Sequence, residues 1–221
     1  MAYDNAVKEK RPGVLVIHDW TGLQDYTKRR SRQLAEMGYV AFAADVYGKG
    51  IRPTDPKECA ATASVYKKDS VLFRKRVSVG LSELRKQPHV DSDNLAAIGY
   101  CFGGAAVLEL ARSGADINGA VSFHGSLASP MPAKPGDIKC KVLVCHGADD
   151  PFVKPEEVAA FKAEMEQVKA QSEFISYSGA VHSFTKLEAG TDNSKGNAYN
   201  ENADKESWSA MRKLFIEVLG K

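Results

Sequence analysis

The 221-residue chain is expected to be an α/β protein, a mostly parallel central sheet with helices on both faces. Three observations predict this. Short apolar runs alternate with segments of helical spacing from one end to the other. One run passes into helix through the tight glycine-flanked turn Gly99-Tyr100-Cys101-Phe102-Gly103-Gly104. No linker or internal repeat interrupts the pattern, so residues 1–221 are expected to form one domain.

The elements follow in order. Residues 14–18 form a short apolar run, 26–37 have helical spacing, and 39–44 are again strand-like. Thr54 is placed to cap a helix with Pro56 in its first turn, where a missing N–H costs nothing. Residues 69–87 continue helically, with Val71, Leu72, Val79, Leu81 and Leu84 on or near one face. A strand over 94–99 enters the glycine turn, a helix over 105–112 leaves it, and 117–123 is the next strand. The Pro- and Ser-rich stretch 126–136 is expected to cross the surface as a loop. Residues 141–145 form a strand, and 155–170 a helix with Val158, Phe161, Met165 and Val168 at core spacing. The last strand is 174–177, followed by a polar loop over 191–202 and an amphipathic helix over 203–219.

Composition narrows the function classes. A net charge of +2 argues against a dedicated surface for nucleic acid or an anionic membrane. The basic runs Lys28-Arg29-Arg30-Ser31-Arg32 and Arg74-Lys75-Arg76 are expected to be solvated helix faces. No stretch approaches the roughly 18 apolar residues of a membrane span. The first ten residues lack a signal peptide's apolar core, so a cytoplasmic protein is expected. Cys59, Cys101, Cys140 and Cys145 are too few and too irregular for a disulfide framework or a zinc site. Cys140 and Cys145 are expected on opposite faces of the sheet. No metal and no cofactor is expected.

The chemistry gathers at strand ends. In a Gly-x-Cys-x-Gly elbow the nucleophile sits on a strained strand-to-helix tip, where the helix N-terminus favours thiolate over thiol. Two later strands end in His146-Gly147-Ala148-Asp149-Asp150-Pro151 and in Ser178-Gly179-Ala180-Val181-His182-Ser183. Nucleophile, acid, then histidine is the chain order of α/β hydrolases, with each member on a loop at the carboxyl edge of the sheet. His18, His124 and His146 also stand at strand ends; among them His124 is best placed to touch a ligand, while each also reads as a structural histidine.

Together, Gly-Tyr-Cys-Phe-Gly-Gly, Gly-Ala-Asp-Asp-Pro-Phe-Val and Ala-Val-His-Ser-Phe resemble the dienelactone hydrolase family of α/β hydrolases. Residues 16–23 resemble its first active-site loop, and 38–48 the strand and turn that follow. The resemblance implies an α/β-hydrolase fold and hydrolysis of small esters or lactones through an acyl-thioester. Cys101 would be the nucleophile, His182 the general base and acid, and Asp150, rather than the adjacent Asp149, the carboxylate behind the histidine. Backbone N–H groups of Trp20 and Phe102 would form the oxyanion hole. Asp19 matches the family carboxylate that acts on the resting thiol, and Lys186 replaces an arginine that holds a substrate carboxylate.

Three departures accompany the resemblance. Asp19 stands where a well-known member has the longer glutamate. Lys186 is a non-bidentate substitute for arginine. Thirteen residues precede residue 14, so the family's N-terminal hairpin is expected in shortened form. The expected partner is a small ester or lactone, with neither nucleic acid nor membrane, and the chain is expected as monomer or homodimer. A ligand-binding protein of the same fold with negligible turnover is the alternative reading.

Overall fold

The computed structural model describes residues 1–4, 6 and 8–220. Six strands, β1 (Arg11–Ile17), β2 (Val40–Ala44), β3 (Val90–Tyr100), β4 (Gly119–Phe123), β5 (Lys141–Gly147) and β6 (Ser172–Tyr177), form one sheet in the order β2-β1-β3-β4-β5-β6. Every pairing is parallel. The helices are α1 (Asp25–Glu36), α2 (Pro56–Lys68), α3 (Ser70–Arg85), α4 (Phe102–Arg112), α5 (Pro155–Gln167) and α6 (Glu201–Leu219).

Strand side chains alternate between two cores, as a period of two requires. Leu15 and Ile17 of β1, Ala97 of β3 and Val142 and Val144 of β5 pack with α2, α3, α4 and α5. Val14, Val16, Ile98, Val121 and Leu143 pack on the other face with α1 and α6. Cys140 and Cys145 fall into different cores, as their spacing predicts.

Several elements differ from expectation. Asp55, not Thr54, caps α2, its carboxylate accepting from the N–H groups of Lys57 and Glu58. The helical stretch beyond it is broken at Asp69, which accepts from Leu72 N–H and so starts α3 afresh. Strand β3 is longer than its apolar core because residues 90 and 91 pair with 11 and 12 before the register shifts and resumes at 95. Among the described residues, the expected N-terminal hairpin corresponds to a single antiparallel bridge, Ala2 to Ala41. Arg30 is not solvated: it is buried against Asp204, the Thr185 carbonyl and the Tyr26 hydroxyl. Arg74 pairs with buried Glu109, and Arg76 donates to the Val46 carbonyl.

The strand order reverses direction between β1 and β3, the point at which an open parallel sheet leaves a crevice beyond its carboxyl ends. The loop after β1 packs against the turn after β3 there, with the His18 and Phe102 rings stacked 5.6 Å apart.

Candidate active site

Cys101 follows β3 directly, with φ 55° and ψ −111°, a conformation costly for any residue with a Cβ. The glycines around it make the turn feasible. A Cβ on Gly99 would lie 2.0 Å from the Gly103 carbonyl oxygen, and one on Gly103 would lie 2.3 Å from that of Ile17. Helix α4 therefore starts at Phe102, against the end of β1, so that its N-terminus directly follows the cysteine. The Cys101 N–H is fixed by the Phe123 carbonyl at 3.0 Å.

His182 connects this elbow to the loop after β5. Its Nε2 lies 3.0 Å from Cys101 Sγ, and its Nδ1 lies 2.7 Å from Asp150 Oδ2. Asp150 is buried, and its other oxygen accepts from Phe152 N–H at 2.9 Å. Adjacent Asp149 is exposed, and it is Asp150, the carboxylate the resemblance implies, that contacts His182. The histidine's own backbone is tied down as well, its N–H donating to the Gly196 carbonyl at 3.1 Å.

Burial disfavours both charges of the sulfur–imidazole pair, yet each favours the other more. Against that burial, the neighbouring thiol and Asp150 raise His182 to about 10. Likewise, burial opposes a Cys101 thiolate, but the imidazolium beside it brings the thiol below its usual value. The resting arrangement favours a thiolate–imidazolium pair.

The carboxylate of the first loop has a different partner from the one its family position implies. Asp19 accepts from Lys186 Nζ at 2.6 Å and from the Thr21 N–H and hydroxyl at 2.8 and 2.5 Å. Burial opposes its charge, but Lys186 and Thr21 hold its carboxyl below the ordinary range. Lys186, which stands where the resemblance implies an arginine for a substrate carboxylate, is thus paired within the protein. His18 orders the same loop. Its Nε2 accepts from Val46 N–H at 3.2 Å, so its Nδ1 carries the proton and donates to the Asp19 carbonyl at 2.6 Å. Trp20 is partly exposed at this loop, its carbonyl accepting from the Tyr47 hydroxyl at 3.1 Å.

His124 does not face the crevice openly. It is 2% exposed and packs edge-to-face on His182, with ring centroids 5.3 Å apart. Its Nε2 lies 2.7 Å from Thr185 Oγ1, which in turn lies 2.6 Å from the Tyr26 hydroxyl. Arg30 and Asp204 continue this buried chain toward α6. Sequence reasoning missed the chain because its members are up to 174 residues apart.

Among the described residues, no group of His, Cys, Asp or Glu side chains is arranged to hold a metal ion, and no described helix is long and apolar enough to cross a membrane.

Comparison with known proteins agrees with this architecture. A solved structure titled m3DLH shares 40% identity and a TM-score of 0.92, over 98% of this chain and 90% of its own. The dienelactone hydrolase-like promiscuous phosphotriesterase P91, from metagenomic libraries, shares 42% identity with a TM-score of 0.90 over the same shares of each chain. MGS-M1, an alpha/beta hydrolase from a deep-sea metagenome library, is 19% identical with a TM-score of 0.60, over 96% of this chain and 86% of its own, and shows the α/β-hydrolase fold alone. The profile described as "Dienelactone hydrolase family" matches residues 1–219, and the chain belongs to that family of ester- and lactone-cleaving hydrolases.

Proposed function

We propose that the protein hydrolyses small esters or lactones through Cys101, His182 and Asp150, by way of an acyl-thioester. The observation that carries this reading is the continuous contact from Asp150 through His182 to the Cys101 sulfur, at 2.7 and 3.0 Å.

The steps follow from those positions. Cys101 Sγ, as thiolate, attacks the substrate carbonyl carbon. The oxygen that becomes negative is received by the N–H groups of Phe102, at the start of α4, and of Trp20, in the loop across the crevice. The carbon–oxygen bond to the alcohol breaks, and His182 Nε2 gives its proton to the departing oxygen. Asp150 keeps the imidazole in one orientation and stabilises its cationic form throughout.

Acylation also prepares the second half. The sulfur in a thioester carries no charge, so the largest influence raising His182 disappears. The imidazole then takes a proton from water, whose oxygen attacks the thioester carbon. The sulfur–carbon bond breaks and the thiolate–imidazolium pair is restored.

The pairing of Asp19 with Lys186 supports activation of the thiol by His182 rather than by the first-loop carboxylate. The test is turnover of p-nitrophenyl acetate by the Cys101→Ala variant, with folding checked by circular dichroism. Loss of at least about 1,000-fold in kcat/KM is expected, and retained activity in a folded variant would sink the reading.

A further inference from the structure

We propose that Phe152 is a shelf for the departing group, and that the favoured substrates are esters of aromatic alcohols. The inference rests on the proposed roles of Cys101 and His182. It adds the chemistry of the substrate's alcohol side.

Phe152 is 60% exposed, which alone says little, because isolated exposed apolar side chains are common. What distinguishes it is its attachment to the triad. Its ring stands perpendicular to that of His182, at 89°, with centroids 5.5 Å apart. Its own N–H is bound by Asp150 Oδ1, the carboxylate whose other oxygen holds His182. A Cβ on Gly196 would lie 2.5 Å from Pro151 Cγ and 3.5 Å from Phe152 Cζ, so the ring extends over a glycine with no side chain to displace it. That glycine's carbonyl accepts the His182 N–H, at 3.1 Å. Two loops therefore place the ring beside the imidazole.

The reaction brings the departing group to this place. His182 Nε2 must reach the alcohol oxygen to protonate it, so the carbon attached to that oxygen emerges beside the imidazole and next to Phe152. A flat aromatic group there gains contact with the ring in an offset or edge-on arrangement, the geometry aromatic pairs prefer. A short alkyl group is too small to cover it. The gain is realised while the proton is being transferred, so it acts on kcat/KM.

The experiment compares phenyl acetate with ethyl acetate in the wild-type protein, Phe152→Ala and Phe152→Trp. Phenyl esters are intrinsically more reactive, but that difference cancels when the ratio of the two kcat/KM values is compared between proteins. In Phe152→Ala the phenyl-to-ethyl ratio is expected to fall about tenfold, while Phe152→Trp stays within about twofold of wild type. A ratio unchanged or raised in Phe152→Ala overturns the shelf; a displaced His182 would slow ethyl acetate more, because ethoxide needs the proton to depart, and so would not lower the ratio.

A second readout needs no turnover. Phenol is expected to protect Cys101 from alkylation by iodoacetamide, and Phe152→Ala to weaken that protection about tenfold. Equal protection in both proteins also overturns the shelf. Retained hydrolysis by Cys101→Ala would instead sink the thiol mechanism, and the two failures are distinct.

Discussion

His182 and His124 lie with ring centroids 5.3 Å apart, and their charges go opposite ways. Burial pushes both toward the neutral form. His182 nevertheless rises to about 10, while His124 falls well below the ordinary histidine value. Their partners account for the difference. His182 touches a carboxylate and a thiol, both able to carry negative charge. His124 hydrogen-bonds the Thr185 hydroxyl, which carries no charge, and the charge on His182 repels a second proton. Two neighbouring imidazoles with separated pKa values can divide the work: in the proposed mechanism one moves protons and the other serves as a neutral wall behind it.

Removing the imidazole that carries the charge is expected to have the largest effect. His182→Ala should lower kcat/KM for p-nitrophenyl acetate by about 10,000-fold. It should also move the pH dependence of Cys101 alkylation above that of an ordinary thiol (near pH 9), because burial and Asp19 still oppose the thiolate once the imidazole is gone. In the wild type, alkylation is expected to rise at a lower pH, because the thiolate forms beside an imidazolium. Hydrolysis has a further limit. It needs thiolate and imidazolium together, so kcat/KM should fall as pH drops through the lowered thiol value and again as it rises past about 10. A wild-type alkylation profile centred near 9 would contradict the charged resting pair.

Asp150→Asn should come next, at about 1,000-fold in kcat/KM, because an amide neither stabilises the imidazolium nor enforces the Nδ1 proton. The alkylation profile should move up in pH in the same variant, since His182 then supports less charge on the sulfur.

The neutral wall allows a subtler test. Thr185→Val removes the hydroxyl between His124 and Tyr26 while keeping the volume nearly constant. His124 then loses its polar anchor, and His182 loses a fixed neighbour. A fall of about tenfold in kcat with KM within twofold is expected, with recovery in Thr185→Ser. An equal change in kcat and KM, or no recovery with serine, would assign Thr185 to stability alone.

The two sides of this comparison differ in how far the sequence reveals them. Cys101, Asp150 and His182 each follow a strand and carry a short local signature, and their order along the chain is that of α/β hydrolases. Parallel strands joined by crossovers deliver strand ends to one edge, so this part was legible without coordinates. The wall behind His182 was not. Arg30 sits in a basic run that reads as solvated, and its burial depends on Asp204 and Thr185, 174 and 155 residues away. Nothing in local spacing distinguishes Arg30 from half-buried Arg29. The break at Asp69 was missed for a related reason: the flanking segments both have helical periodicity, and only the side-chain cap on Leu72 divides them.

The smallest expected effects come from the first loop, and they have opposite signs. Asp19 opposes the Cys101 thiolate by its charge, although Lys186 covers that charge at 2.6 Å. Asp19→Asn removes the negative group and leaves Lys186 uncovered, and both changes favour the thiolate. The alkylation profile should shift to lower pH by about half a unit. Lys186→Ala keeps Asp19 and removes its cover, so the profile should shift upward by a similar amount. If Asp19 instead deprotonated the thiol directly, as its family position suggests, Asp19→Asn would shift the profile upward. The sign of that one shift separates activation by His182 from activation by the loop carboxylate, and it requires no knowledge of the natural substrate.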